Sequence, residues 1–151
     1  MSDAALIWKV ISSRKNTIRE AHGLAPLLAP GSLVLVDGPL GAGKTFFVRA
    51  LLRALGVPPK VPVPSPTFSL VHRYEVGSQC VLHADLYRLR DEPDAGGATR
   101  NLGLRDERAD GAILLVEWGA GLELALGGPA ERIVHLARSA AGRRLAISPA
   151  V

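Results

Sequence analysis

The eight residues Gly38-Pro39-Leu40-Gly41-Ala42-Gly43-Lys44-Thr45 constrain this chain more than any other stretch of it. They satisfy G-x-x-x-x-G-K-[ST], a spacing with a physical basis. Gly38 and Gly43 let the backbone turn where a Cβ would clash. The loop amides then face inward as a nest for phosphate oxygens, at the positive end of the helix that follows. Lys44 carries an ammonium to the β- and γ-phosphates, and the Thr45 hydroxyl takes one position on Mg²⁺. Such a loop works only between a buried strand and a helix, and both are legible. Leu33–Val36 is a continuous apolar run of the kind a parallel sheet buries on both faces. Phe47, Ala50, Leu51, Ala54 and Leu55 recur at helical spacing, and Gly56 is a natural stop.

The rest of the chain arranges itself around that unit. Asn16 or Thr17 caps an expected helix carrying Ile18, Ala21, His22, Ala25 and Leu28, which Pro26 kinks or ends early. Val57–Pro66 holds five of the eleven prolines and reads as an extended, stiffened loop. Phe68–Glu75 and Gln79–Asp85 form an expected hairpin through Gly77-Ser78. Asp91–Asp110 reads as surface loop with a helical piece at Leu102–Leu104. Ala112–Glu117 is a second buried strand, and Arg132–Leu136 with Arg144–Ile147 a closing antiparallel pair around Gly142. The expected fold is α/β: one domain over residues 1–151, three-layer and P-loop NTPase-like, with a mixed, largely parallel central sheet flanked by helices.

A P-loop needs an acid near the metal, ordinarily at the end of a neighbouring apolar strand. Glu117 closes Ala112–Val116, and Asp85 closes Val81–Ala84. One would ligate Mg²⁺ while the other orients the attacking water, and the residues alone leave open which does which. Ser65-Pro66-Thr67-Phe68 follows the proline loop, where nucleotide switches place a γ-phosphate sensor. Cys80 and His83 have ligand-like spacing but lack the partners a zinc site requires. His22 and His135 read as surface positions, Arg88 and Arg90 as a solvated loop, and Trp118 as core packing or a partner contact. No Asn-Lys-x-Asp stretch supports guanine selectivity.

Composition sets outer limits. The 151 residues are 48% hydrophobic, enough for a core without disulfides, and the single cysteine excludes a disulfide framework. Eighteen Lys and Arg against fourteen Asp and Glu leave a net charge of +4, spread along the chain rather than clustered. That balance permits nucleic-acid contact without demanding it. Apolar runs are too short to cross a bilayer and the N-terminus lacks a signal-peptide core, so a cytoplasmic location is expected.

The G-P-L-G-A-G-K-T loop at Gly38–Thr45 is followed by Ser65-Pro66-Thr67-Phe68. Then come His83-Ala84-Asp85-Leu86-Tyr87-Arg88-Leu89, Leu102-Gly103-Leu104 and Val116-Glu117-Trp118. In that order, from about Thr17 to Arg143, the chain resembles the TsaE (YjeE) family. The resemblance implies a bacterial ATPase, with ATP and Mg²⁺ as cofactors, serving formation of threonylcarbamoyladenosine (t6A) at tRNA position 37. Its implied partner is the TsaD–TsaB heterodimer, which it resets by ATP hydrolysis, meeting tRNA only through that complex. By motif, Lys44 and Thr45 bind phosphate and Mg²⁺, and Glu117 is the second metal-side residue. Thr67 belongs to the switch-like loop, Asp85 orients water, Arg143 contacts nucleotide and Ser12–Thr17 approaches the adenine. Phe46, Pro26 and the Gly-rich Asp94–Asn101 depart from the family pattern.

Two other readings compete. A small-molecule or nucleotide kinase would need an arginine-bearing lid, for which Asp91–Asp110 offers Arg100, Arg105 and Arg108. A nucleotide-gated tRNA-binding module rests on the basic charge alone.

Overall fold

In the computed structural model, residues 5–149 are described. Seven strands form one sheet: β1 Lys9–Ile11, β2 Leu33–Asp37, β3 Val71–Val76, β4 Gln79–Asp85, β5 Ile113–Glu117, β6 Arg132–Ser139 and β7 Gly142–Ser148. Their spatial order is β1-β7-β6-β2-β5-β4-β3. The central β6, β2, β5 and β4 run parallel, while β7 with β1 and β3 pair antiparallel at the two edges. The sheet is thus mixed and parallel at its centre, as expected.

Period-2 alternation divides the core into two layers. Val34, Val36, Ile113 and Leu115 face one side, where they pack with Ala21 and Leu24 of α1 (Arg14–Leu24) and Phe47, Val48 and Leu51 of α2 (Lys44–Leu55). Leu33, Leu35, Leu114 and Val116 face the other, against Leu104 of α4 (Leu104–Ala109) and Leu126. Because β2 and β5 are covered on both faces, their sequences are unbroken apolar runs.

Several expectations shift by a few residues. The cap of α1 is Ser13, whose Oγ accepts from the Asn16 amide at 3.3 Å, rather than Asn16 or Thr17. Thr17, Ala21 and Leu24 are its buried stripe, so Ile18 and His22 point outward. The helix ends at Leu24, two residues before Pro26, which sits in a 3₁₀ turn over Ala25–Leu27. Strand β1, three residues long, carries too little alternation to show in the sequence. Strand β3 begins at Val71, not Phe68, because the Leu70 amide closes a turn on the Pro66 carbonyl at 2.8 Å. The hairpin through Gly77-Ser78 is present.

Asp91–Asp110 is more ordered than its composition suggests. It holds α3 (Ala95–Arg100) and α4, and Leu102 and Gly103 form the turn between them. Asp94 caps α3 by accepting from the Gly97 amide at 2.9 Å, and its carboxylate fills the space a Cβ on Gly97 would need. That cap supports a helix in a segment whose glycines disfavour one. Proline-rich Val57–Pro66 runs without helix or strand.

Candidate nucleotide site

Strand β2 ends at Asp37 and α2 begins at Lys44, so the glycine-rich loop spans the parallel strand and the helix start. Glycine is required at Gly38: φ is +152°, and a Cβ there would lie 2.5 Å from the Leu136 carbonyl of β6. Gly43, at φ +101°, precedes the first helical residue.

Lys44 is buried, 6% exposed. Its Nζ donates to the carbonyls of Gly38 at 2.6 Å and Pro39 at 2.9 Å, and lies 4.2 Å from the centre of the Trp118 ring. Burial pushes its ammonium below the usual lysine range, opposed by the charges of Glu117, Asp37 and Asp85. One residue on, Thr45 Oγ1 donates to Glu117 Oε1 at 2.9 Å. Glu117 ends the central strand β5, paired to Asp85 at the end of β4. The Asp85 carboxylate accepts from the Tyr87 amide at 3.0 Å. Burial pushes it above the ordinary aspartate value, and the neighbouring Glu117 charge adds to the rise.

The switch-like loop reaches the same space. Ser65 and Thr67 hydroxyls lie 3.0 Å apart, and the approach to them is tied down at two points. Arg49 Nε of α2 donates to the Val63 carbonyl at 3.0 Å, and His72 Nδ1 of β3 lies 3.2 Å from that of Pro64. Across the cavity, Arg138 and Arg143 of the β6–β7 hairpin each donate to the Gly41 carbonyl, at 3.2 and 3.4 Å.

A cavity of about 900 Å³ collects these groups. Leu40, Gly41, Gly43, Lys44, Thr45, Thr67, Asp85, Glu117 and Arg143 line it, as do Ser12, Ser13, Arg14 and Thr17 from the start of α1. Gly38 and Pro39 stand behind it as acceptors for Lys44, and Ala42 is buried in the core. Cys80 and His83 are three residues apart on β4 and so point to opposite faces, which separates them as ligands.

Three site features were not read from the sequence. His83 is fully buried and its Nε2 lies 2.6 Å from Glu117 Oε2. Arg138 joins Arg143 at the loop. Trp118, left undecided above, lines the cavity with φ at +60° and packs on Tyr87, ring centres 4.9 Å apart. Alternation along β4 and β5 was the available signal for His83, since it shares a face with Asp85.

The residues fit both expected ligands. Thr45 and the paired carboxylates of Glu117 and Asp85 are hard oxygen donors suited to Mg²⁺, with the Lys44 ammonium close by. The glycine-rich loop and the start of α2 place Lys44 and the loop backbone on the cavity, where a polyphosphate would be cradled.

A parallel central sheet, this loop between its strand and helix, and an acid on the adjoining strand define a P-loop-like α/β fold. Within that class the chain belongs to the TsaE family: the model described as "Threonylcarbamoyl adenosine biosynthesis protein TsaE" matches residues 11–145. The family acts in t6A biosynthesis. The chain is 43% identical to TsaE of Aquifex aeolicus over 82 residues, covering 54% of this chain and 62% of that one. It is 35% identical to TsaE of Rickettsia conorii over 108 residues (72% of this chain, 58% of the relative). The match thus spans about three-fifths of those two relatives. TsaE of Mycobacterium leprae is 36% identical over 113 residues, covering 72% of this chain and 68% of the relative. The crystal structure of Bacillus subtilis YdiB superposes with a TM-score of 0.69 at 24% identity, covering 93% of this chain and 82% of that one, a likeness of fold. No helix among the described residues is long and apolar enough to cross a membrane.

Proposed function

We propose that this protein is a Mg²⁺-dependent ATPase of the t6A pathway, which binds the TsaD–TsaB pair and resets it between turnovers by hydrolysing ATP. The observation that carries the reading is the Thr45–Glu117 hydrogen bond at the mouth of the P-loop, with Asp85 beside it on the same cavity. Bound Mg²⁺ would neutralise charge on the β- and γ-phosphate oxygens, and Thr45 with Glu117 would hold it. Lys44 leaves the Gly38 and Pro39 carbonyls to reach those oxygens, trading weak neutral acceptors for charged ones. Asp85, raised by burial, accepts a hydrogen bond from water and orients it for attack on the γ-phosphorus. Water supplies the oxygen of the released phosphate, and the bond to the β–γ bridging oxygen breaks. Thr67 senses the γ-phosphate, Arg143 contacts the nucleotide, and a cytoplasmic location follows from the pathway.

Arg108, counted above toward a kinase lid, is committed elsewhere. It donates to the carbonyls of Gly31, Leu126, Gly128 and Pro129 and pairs with Glu131. The deciding experiment is Mg²⁺-dependent phosphate release from ATP with and without TsaD–TsaB, with Lys44→Ala as control. Stimulation by the pair is the expected result. Turnover unchanged by the pair, or surviving in Lys44→Ala, overturns the reading, and a phosphorylated metabolite in place of free phosphate would make the protein a kinase.

A further inference from the structure

Glu117 has three side-chain torsions, and a carboxylate at the end of a strand is ordinarily free to swing into solvent. Here it is 2% exposed and gripped at both oxygens: Thr45 Oγ1 donates to Oε1 at 2.9 Å, and His83 Nε2 meets Oε2 at 2.6 Å. The grip follows from register. His83 pairs with Leu115 and Asp85 with Glu117, so alternation sets His83, Asp85 and Glu117 on the face of the sheet under α2, where Thr45 begins the helix.

Packing alone does not explain an imidazole at this position. His83 Nδ1 is buried without a hydrogen-bond partner among the described residues, a desolvation cost that a leucine of similar volume would not carry. Thr45, the other group on Glu117, is also the hydroxyl the loop offers to Mg²⁺. His83 is the partner of Glu117 with no second bond to make.

We propose that His83 is the positioning residue of this site, its Nε2–H holding the Glu117 carboxylate so that Oε1 stays turned toward Thr45 and the metal position. The proposal rests on the ATPase reading of the cavity. It differs from it in assigning the precision of the metal site to a side chain that touches neither nucleotide nor metal. Partners of this kind fix ligand orientation, and losing one typically weakens metal binding or activity by about 10–100-fold.

The test compares His83→Leu, which keeps volume and removes the donor, with His83→Gln, which restores an N–H near the same place. Mn²⁺ binding to the protein–ADP complex is followed by electron paramagnetic resonance, and metal-free ADP binding by calorimetry. His83→Leu should lower Mn²⁺ affinity by about 10–100-fold with ADP affinity unmoved, and His83→Gln should recover most of the loss. Mn²⁺ binding in His83→Leu within about twofold of the parent, or no recovery in His83→Gln, overturns the proposal. Absence of Mn²⁺ binding in the parent would instead sink the ATPase reading. The histidine geometry is then judged in nucleotide-free protein by ¹⁵N-resolved imidazole resonances, assigned through His83→Gln. An Nε2–H tautomer whose proton moves in Glu117→Gln supports the grip, also when His83→Leu does not fold. An Nδ1–H tautomer, or a proton indifferent to Glu117→Gln, overturns it.

Discussion

Lys44 concentrates the electrostatics of the site in one side chain. It sits buried among carbonyls and the Trp118 ring, with Glu117, Asp37 and Asp85 around it. Lys44→Ala should cut phosphate release at least about a hundredfold while circular dichroism and urea midpoint stay close to the parent, because the ammonium acts on charge developing in the transition state. Asp85 makes the complementary case. Its folded-state pKa lies above the unfolded value, so the native state binds more protons, and stability falls as pH rises from the usual aspartate range through the raised value. Asp85→Asn should therefore raise the Tm of nucleotide-free protein at pH 7, and the gain should vanish in scans below about pH 4. The same change should lower turnover by about 10²–10⁴-fold if the carboxylate orients water. A fall in Tm at pH 7 would contradict the burial argument.

At the scale of elements, the start of α1 belongs both to the helix and to the cavity wall. Ser13 caps the helix and lines the cavity with Ser12 and Arg14. Ser13→Ala should cost about 1 kcal/mol in urea unfolding and weaken nucleotide binding together, since a frayed first turn moves the cavity wall. Elements were legible in the sequence to different degrees. Strands β2 and β5 and helix α2 announced themselves because burial on both faces or along one stripe writes a strong pattern. Asp94–Arg100 did not, because its glycines hide a helix whose cap is supplied by Asp94. Strand β1 was missed because it exists only by pairing with β7.

For the whole molecule, the two core layers meet through β2 and β5, so damage there should be global. Leu114, fully buried on β5, predicts a loss of about 2–5 kcal/mol on Leu114→Ala, read from the urea midpoint, against a far smaller effect at exposed Ile18. Ligand linkage gives a second global readout. A nucleotide at about a hundred times its Kd with Mg²⁺ should stabilise the fold by about 2.7 kcal/mol, and Lys44→Ala should abolish that shift in thermal melts.

The sequence by itself determined the loop at Gly38–Thr45, the strand and helix on either side, the two strand-ending acids and the family. The loop, its flanking strand and helix and the strand-ending acids are local patterns, in which residue type and spacing within a dozen positions carry the physics, and the family is written in the order of such patterns along the chain. The tertiary structure seats Glu117, which the resemblance had put at the metal side, against Thr45, and it alone decided that His83 grips Glu117 from the next strand and that Arg138 and Arg143 converge on Gly41. Those contacts join residues 34 to 102 positions apart, and strand order and register bring them within 3.5 Å. Spacing along a chain is silent about which strands become neighbours, and here that adjacency builds the site.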